Sequence, residues 1–284
     1  MSTDEGPQLA RKTWRTLEPL HGMIYFVPEA AEAYATLGVT GTNGYFASRS
    51  APMGAVTADV VVATFFNFNP VLVHAAIPAA WHVTSPEAMV GARLGAVDGA
   101  MRRVLGDEAV ASTDMARAAE LARGLAERAC ANLDGRPLCA GHATLAWPDQ
   151  PHLVLWHAQS ILREFRGDAH VALLLTHGLS GIDALITHAA AGDVPAAVLR
   201  GSRGWSAEQW DGVVASMQSR GWLDSGGGEG LAFSGWGKAQ REEIEVQTDL
   251  LAAAPYEALG PDGCAELRGL VRPWSKSFSE LLFR

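Results

Sequence analysis

The sequence predicts a mainly α-helical protein made of two packed helical parts, and three observations lead there. Of its 284 residues, 48% are hydrophobic and only 19% are charged, the reverse of the balance that keeps a chain disordered. Alanine is abundant while strand-like alternation is scarce, which favours helix packed on helix. Apolar residues recur at helical spacing between recognisable caps and stops.

The elements follow in order. Pro28 and Glu29 read as a first helical turn, with Gly38 as its stop. Ala55 to Trp81 carries a single acid, Asp59, and is long enough to cross a bilayer. Its Asn67, Asn69, His74, Pro70 and Pro78 argue instead for a buried, proline-broken helix pair. Ser85-Pro86-Glu87 caps a helix with the apolar stripe Met89, Val97, Met101 and Val104, ending at Gly106. Ser112 or Thr113 opens an alanine-rich helix that runs to Asn132.

Gly135 to Pro151 lacks helical period and marks the internal boundary. The expected division is an N-terminal helical domain over 1–135 and a C-terminal one over 151–284. Helix returns from His152 through Trp156, Ile161, Leu162 and Phe165, is interrupted at Gly167-Asp168 and resumes to Leu175. Ser180 caps the next helix, which ends near Gly192.

The most specific pattern lies within 194–252. Ser206 is an N-cap, and Trp210, Val213, Val214 and Met217 share one helix face. Arg220-Gly221-Trp222-Leu223 ends that helix and begins an extended segment. Gly226-Gly227-Gly228 makes a turn, and Leu231-Ala232-Phe233 returns as a second short strand. Ser234 then caps a long helix containing Arg241, Glu245 and Asp249. Helix, strand, turn, strand, helix is the order of a winged helix-turn-helix.

At these residues the chain resembles the MarR-type winged-helix proteins. It is similar over nearly its whole length to an actinobacterial family classed as helix-turn-helix. That similarity rests on Tyr45-Phe46-Ala47 with Arg49-Ser50-Ala51-Pro52, the run Ala63-Thr64-Phe65 to Pro70, Leu162-Arg163-Glu164 with Arg166-Gly167-Asp168 and His170, Arg203-Gly204-Trp205-Ser206, and Glu245 with Thr248-Asp249. The resemblance implies a winged-helix C-terminal part, a setting in actinobacterial secondary metabolism and, from MarR-type proteins, a homodimer joined by terminal helices. The apolar C-terminal Phe278, Leu281, Leu282 and Phe283 either form that partner surface or fold back on the domain.

Charge argues against DNA as the partner. There are 31 acids against 22 bases, a net charge of −9, whereas affinity for phosphates needs a basic face. The start of the would-be recognition helix, Ser206 to Asp211, carries Glu208 and Asp211, and the wing tip carries Glu229. Arg200, Arg203 and Arg220 flank the unit and either bind phosphate or pair with those acids.

Three polar clusters sit in apolar surroundings, where each group must find a partner. Tyr45 and Arg49 before Pro52-Met53-Gly54 read as a helix-end or core ion pair, or as a clamp on an anionic ligand. Phe65 to Pro70 followed by His74 offers Asn69 as a cap, with Asn67 and His74 as core hydrogen-bonders or the orienting groups of a pocket. Arg163 to His170 is the densest, since Glu164 and Asp168 lie four apart. There Asp168 caps a new helix, or Arg163 and Arg166 neutralise the acids in a buried network, or the acids and His170 form an acid/base site.

Cys130, Cys139 and Cys264 are far apart and the N-terminus lacks a signal-peptide pattern, so a reduced, cytoplasmic protein is expected. Signatures of dinucleotide, P-loop, serine-hydrolase and zinc-protease sites are missing. Neither a metal nor a cofactor is implied. The expected function is small-molecule binding between the helical parts, with a winged helix not used for DNA. Trp14, Phe65, Phe68, Trp81 and Trp156 would be walls, and Tyr45, Arg49, Asn67, His74, Arg163 and Arg166 polar contacts. Were the protein an enzyme, it would use cofactor-independent acid/base chemistry with Glu164 and His170 as proton carriers. The alternatives are a MarR-like, ligand-responsive transcription regulator and a non-catalytic sequestering protein.

Overall fold

The computed structural model describes residues 5–225 and 230–282. Helices dominate. The first group is α1 (Glu5–Gly22), α2 (Pro28–Thr36), α3 (Gly41–Ser50), α4 (Ala58–Phe65) and α5 (Pro70–Ala76). It continues through α6 (Pro86–Leu105), α7 (Asp107–Val110), α8 (Thr113–Ala129) and α9 (Pro137–Ala143). Then come α10 (Pro151–Thr176), α11 (Gly181–Ala191), α12 (Ala196–Ser202), α13 (Ala207–Ser219), α14 (Gly235–Ala252) and α15 (Ala254–Leu282), the last broken at Gly260.

Six starts are set by side-chain caps visible in the sequence. Ser85, Ser112, Ser180, Ser206 and Ser234 each accept a backbone N–H of the first turn of their helix. Ser180 with Asp183, and Ser206 with Gln209, complete capping boxes. Asn69 caps α5 through its Oδ1.

The central element is α10. Every residue from His152 to Leu162 is buried, as expected of a helix covered on all sides. It packs against α1, α6, α8, α9 and α14. Two apolar clusters divide along it. The larger runs from α1 through Phe165 and takes in α15, with Phe46, Leu125, Leu155 and Phe278 at its centre. The smaller begins at Leu174 and joins α11 to α14 through Leu185, Trp210, Met217, Trp222 and Ile244. The 144–150 loop carries no such division, because Leu138 before it and Leu153 after it belong to the same cluster.

Three expectations are corrected, and one alternative left open is decided for Phe278. Gly135 to Pro151 contains α9, whose N-terminal Leu138 and Cys139 amides donate to Asp168, about 30 residues onward; that cap is invisible to a local reading. Gly167-Asp168 does not interrupt α10, because Asp168 caps α9 and not a new helix. No two-stranded wing forms among the described residues. A single antiparallel bridge joins Leu223 to Phe233, flanked by Asp224 N–H donating to Ala232 O at 3.0 Å and Ser234 N–H donating to Trp222 O at 3.1 Å. Segments this short sustain one bridge but no ladder, and the Gly226 to Glu229 tip lies outside the described residues. Finally, Phe278 is fully buried and folds back on the core, leaving Leu281 39% exposed; the Leu282 side chain and Phe283 lie outside the described residues.

Among the described residues no single helix is long and apolar enough to cross a membrane. The Ala55 to Trp81 stretch is the broken pair α4 and α5 followed by a 3-10 turn, Ala79–His82.

Candidate functional site

A cavity of about 480 Å³ opens where α1, α3, the end of α4, α10, α11 and α14 meet. Each element places its side chains there for a local reason. α3 carries Tyr45 and Arg49 one turn apart, so both face the same way, and Arg49 Nη1 donates to Tyr45 Oη at 3.0 Å. α4 ends in a sharp reversal at Phe66, whose φ of 55° and the 2.6 Å contact from Asn67 N–H to Phe65 O make a γ-turn. Such turns are strained for a bulky residue. This one is held because Gly181 packs on the Phe66 carbonyl and Trp205 Nε1 donates to Asn67 O at 3.0 Å. The reversal brings Phe65, Asn67 and Phe68 to the cavity wall.

The aromatic side of the cavity is continuous. Phe68 lies 5.5 Å from Tyr45 and 4.9 Å from Phe46, ring centre to ring centre. Two guanidinium groups cover it, Arg49 at 4.2 Å above Phe65 and Arg203 at 4.7 Å above Phe68. Arg203 therefore turns inward and pairs with neither Glu208 nor Asp211. Its Nη1 bonds Ser202 Oγ, and no carboxylate lies within ion-pair distance among the described residues. Arg49 Nε, Arg203 Nε and Asn67 Oδ1 are buried without hydrogen-bond partners.

The opposite side is charged and internally paired. Glu164 binds Arg163 at 2.7 Å and lies 3.9 Å from Arg49. Burial opposes its ionisation, but Arg163, Arg49 and His142 prevail and hold its carboxyl below the ordinary range. Arg163 also reaches Glu18 at 3.3 Å, whose carboxyl is raised by burial. Arg166 clamps Asp249 at 2.6 Å and Glu245 at 2.8 Å while lying over Trp14. Glu245 is drawn down to about 2 against burial, by Arg241, His170 and Arg166.

His170 Nδ1 lies 2.9 Å from Thr248 Oγ1. That hydroxyl donates to Ile244 O at 2.7 Å, so it accepts from His170 Nδ1–H and leaves Nε2 with the free lone pair. Burial pushes this imidazole down to about 4. Asp168, by contrast, is pushed up to about 6, chiefly by burial. At neutral pH Glu164 is an anion and His170 a neutral ring, whereas burial raises the carboxyls of both Asp168 and Glu18.

The cavity thus gathers Tyr45, Arg49, Phe65, Asn67, Arg163, Glu164, Arg166 and His170 from the sequence reading, with Trp14 and Phe68 as walls. Three expected members lie elsewhere. His74 is half exposed on α5 and pairs with exposed Asp59 at 3.3 Å. Trp156 is buried behind the cavity, stacked on His21. Trp81 is spent on the Val56 carbonyl. The reading missed Arg203, Tyr25, Glu18, Glu245 and His188 as lining residues. Arg203 had one signal, its place in the Arg203-Gly204-Trp205-Ser206 run.

The α12–α13 segment, where the sequence pattern places a helix-turn-helix, forms one flank of this site. Asn69 N–H donates to Arg203 O at 2.9 Å, and Asn69 Nδ2 donates to Gly204 O at 3.0 Å and Gln209 Oε1 at 3.4 Å. These bonds stitch the turn before α13 to the start of α5. α13 contains no Lys or Arg, while its Glu208 and Asp211 are exposed. Arg220, just after it, is taken by Asp183 and the Gly178 carbonyl. Among the described residues no group of three His, Cys, Asp or Glu side chains is placed to hold a metal ion.

No curated protein and no solved structure matches the chain. A helix-turn-helix family profile matches residues 10–281. That span covers every helix from the middle of α1 to the end of α15, and the chain belongs to this helix-turn-helix family.

Proposed function

We propose that the protein binds a small, largely apolar molecule with an anionic head group in the 480 Å³ cavity, and that its helix-turn-helix unit serves as a wall of that site and not as a DNA reader. The observation that carries this reading is the unpartnered set Arg49 Nε, Arg203 Nε and Asn67 Oδ1 beside one aromatic wall. Each buried polar atom left without a partner costs about 1–3 kcal/mol, so the two arginine donors in one place point to a ligand that brings acceptors to them, while Asn67 Oδ1, itself an acceptor, is not met by such a group. A carboxylate between the two arginines would accept from both, and an apolar body would lie along Tyr45, Phe65 and Phe68. Binding is favoured over acid/base turnover because Glu164 and His170 each hold one protonation state at neutral pH.

Membership of a helix-turn-helix family favours a second reading, a ligand-responsive DNA-binding regulator; a MarR-like character, with the Leu223–Phe233 bridge as a reduced wing, is part of that second proposal. Calorimetry with 2-naphthoate and its neutral amide, beside mobility-shift assays on duplex DNA, separates the two. The proposal expects naphthoate binding that weakens about tenfold to a hundredfold in Arg203→Gln, the loss of one charged hydrogen bond. It also expects no salt-dependent DNA shift. Equal affinity for the amide, or naphthoate binding indifferent to Arg203, contradicts the anion site. A DNA shift that weakens steeply with salt establishes the regulator.

A further inference from the structure

Behind the first cavity lies a second, of about 260 Å³, between α6, the 144–150 loop and the N-terminal half of α10. Its body is apolar, contributed by Pro52, Val90, Leu94 and Leu145. Its polar members are Arg93, His142, Trp156 and His157, all of which are 2–3% exposed. Arg93 Nε, His142 Nδ1, Trp156 Nε1 and His157 Nε2 have no hydrogen-bond partner. Buried polar atoms are rarely left so, and four around one void is not a packing accident of a single side chain.

The charge of this cluster identifies what is missing. Arg93 donates to Ser48 O at 2.9 Å and to Tyr25 Oη at 3.4 Å. Both are neutral acceptors, and no carboxylate lies within ion-pair distance of Arg93 among the described residues. Glu87 borders the cavity but is exposed on the first turn of α6. Burial holds His142 at about 3 and His157 at about 4, so neither ring adds or cancels charge at neutral pH. A buried guanidinium without an anion is costly.

We propose that this cavity is a second binding site, for a small planar carboxylate of about the size of benzoate. Its oxygens take the Arg93 Nε and Trp156 Nε1 donors, with the two imidazoles closing the remaining positions in their neutral tautomers, and its ring fills the space among Val90, Leu94 and Leu145. The site is independent of the naphthoate-sized cavity and stands or falls without it.

The test is calorimetric titration of the full chain with benzoate and with benzamide. Trp156→Phe removes one donor while keeping an aromatic ring in place. The proposal expects a benzoate site, separate from any in the first cavity, at least tenfold weaker for benzamide and at least tenfold weaker for benzoate in Trp156→Phe, with Arg203→Gln leaving this site unchanged. Should Trp156→Phe fail to fold, His157→Phe is read in its place, with the same expected loss. No benzoate binding at millimolar concentration overturns the proposal. So does binding abolished by Arg203→Gln but kept in Trp156→Phe, which would assign benzoate to the larger cavity. A crystal structure grown with benzoate whose second cavity holds only ordered water overturns it equally.

Discussion

Replacing Arg166 with Leu removes the cation that ties α10 to α14 and thereby fixes one side of the larger cavity. Arg166 is 8% exposed and Asp249 4% exposed at the side chain, with the contacts at 2.6 Å to Asp249 and 2.8 Å to Glu245. The substitution leaves Asp249 with Arg11 and Glu245 with Arg241, so each acid keeps one partner but loses the more deeply buried of its two guanidinium contacts. Breaking a buried pair from one side costs about 3–5 kcal/mol. At ~2–4 °C per kcal/mol for a chain of this size, the melting temperature should fall by roughly 6–20 °C. Circular dichroism or scanning calorimetry reads this directly. Adding Asp249→Leu should recover part of the loss, because the buried carboxylate left with one partner in place of two is removed as well; the two substitutions then show a coupling of about 1–3 kcal/mol. A single substitution costing under about 1 kcal/mol, or strictly additive effects, would refute the claim that this network is a buried structural unit.

Three further outcomes follow from the geometry. Asp168 titrates at about 6 in the folded chain against about 3.9 when unfolded. A raised acid stabilises the fold most below its unfolded value and loses that contribution as pH rises through 6, so wild type should lose about 2–3 kcal/mol relative to Asp168→Asn between acid and neutral pH. Denaturant titrations at several pH values check this, and parallel profiles for the two proteins would refute it. In Gly181→Ala the new methyl meets the Phe66 carbonyl, a backbone atom that cannot rotate away, so a loss of about 3 kcal/mol is expected; unchanged stability would show that the γ-turn is not packed there. Asn69→Ala loses the α5 cap and the bonds to Gly204 and Gln209. It should cost about 1–2 kcal/mol and speed hydrogen exchange in the Arg203 to Gln209 turn; exchange unaltered there would contradict the stitching role.

How much of this was legible depends on the reach of each signal. Ser85, Ser112, Ser180, Ser206 and Ser234 marked their helices because a cap acts within its own first turn. α9 was not legible, since the acceptor for its first amides comes from Asp168 on another helix. Gly167 suggested a break, yet α10 runs through it, with Glu164, Phe165, Arg166, Asp168 and Ala169 buried on either side. The polar groups Arg49, Asn67, Arg163, Glu164 and His170 drew notice because they stood in apolar runs, and that anomaly is what brings them to one cavity. His74 stood in an equally apolar run but lies on the solvent face of α5, a distinction that periodicity over seven residues does not make. Arg203 was read with the helix-turn-helix because of its neighbours in sequence, whereas its side chain crosses to Phe68, which only the tertiary fold brings near.

The central claim is that an anionic head group sits between Arg49 and Arg203. It is tested most directly by the arginine Nε–H resonances in a proton–nitrogen NMR spectrum recorded with and without 2-naphthoate. The signals of Arg49 and Arg203 should move and become protected from exchange on binding, while that of Arg117, an exposed surface pair with Glu266, stays still. If naphthoate leaves the Arg49 and Arg203 signals where they were, the cavity is not an anion site and the account fails.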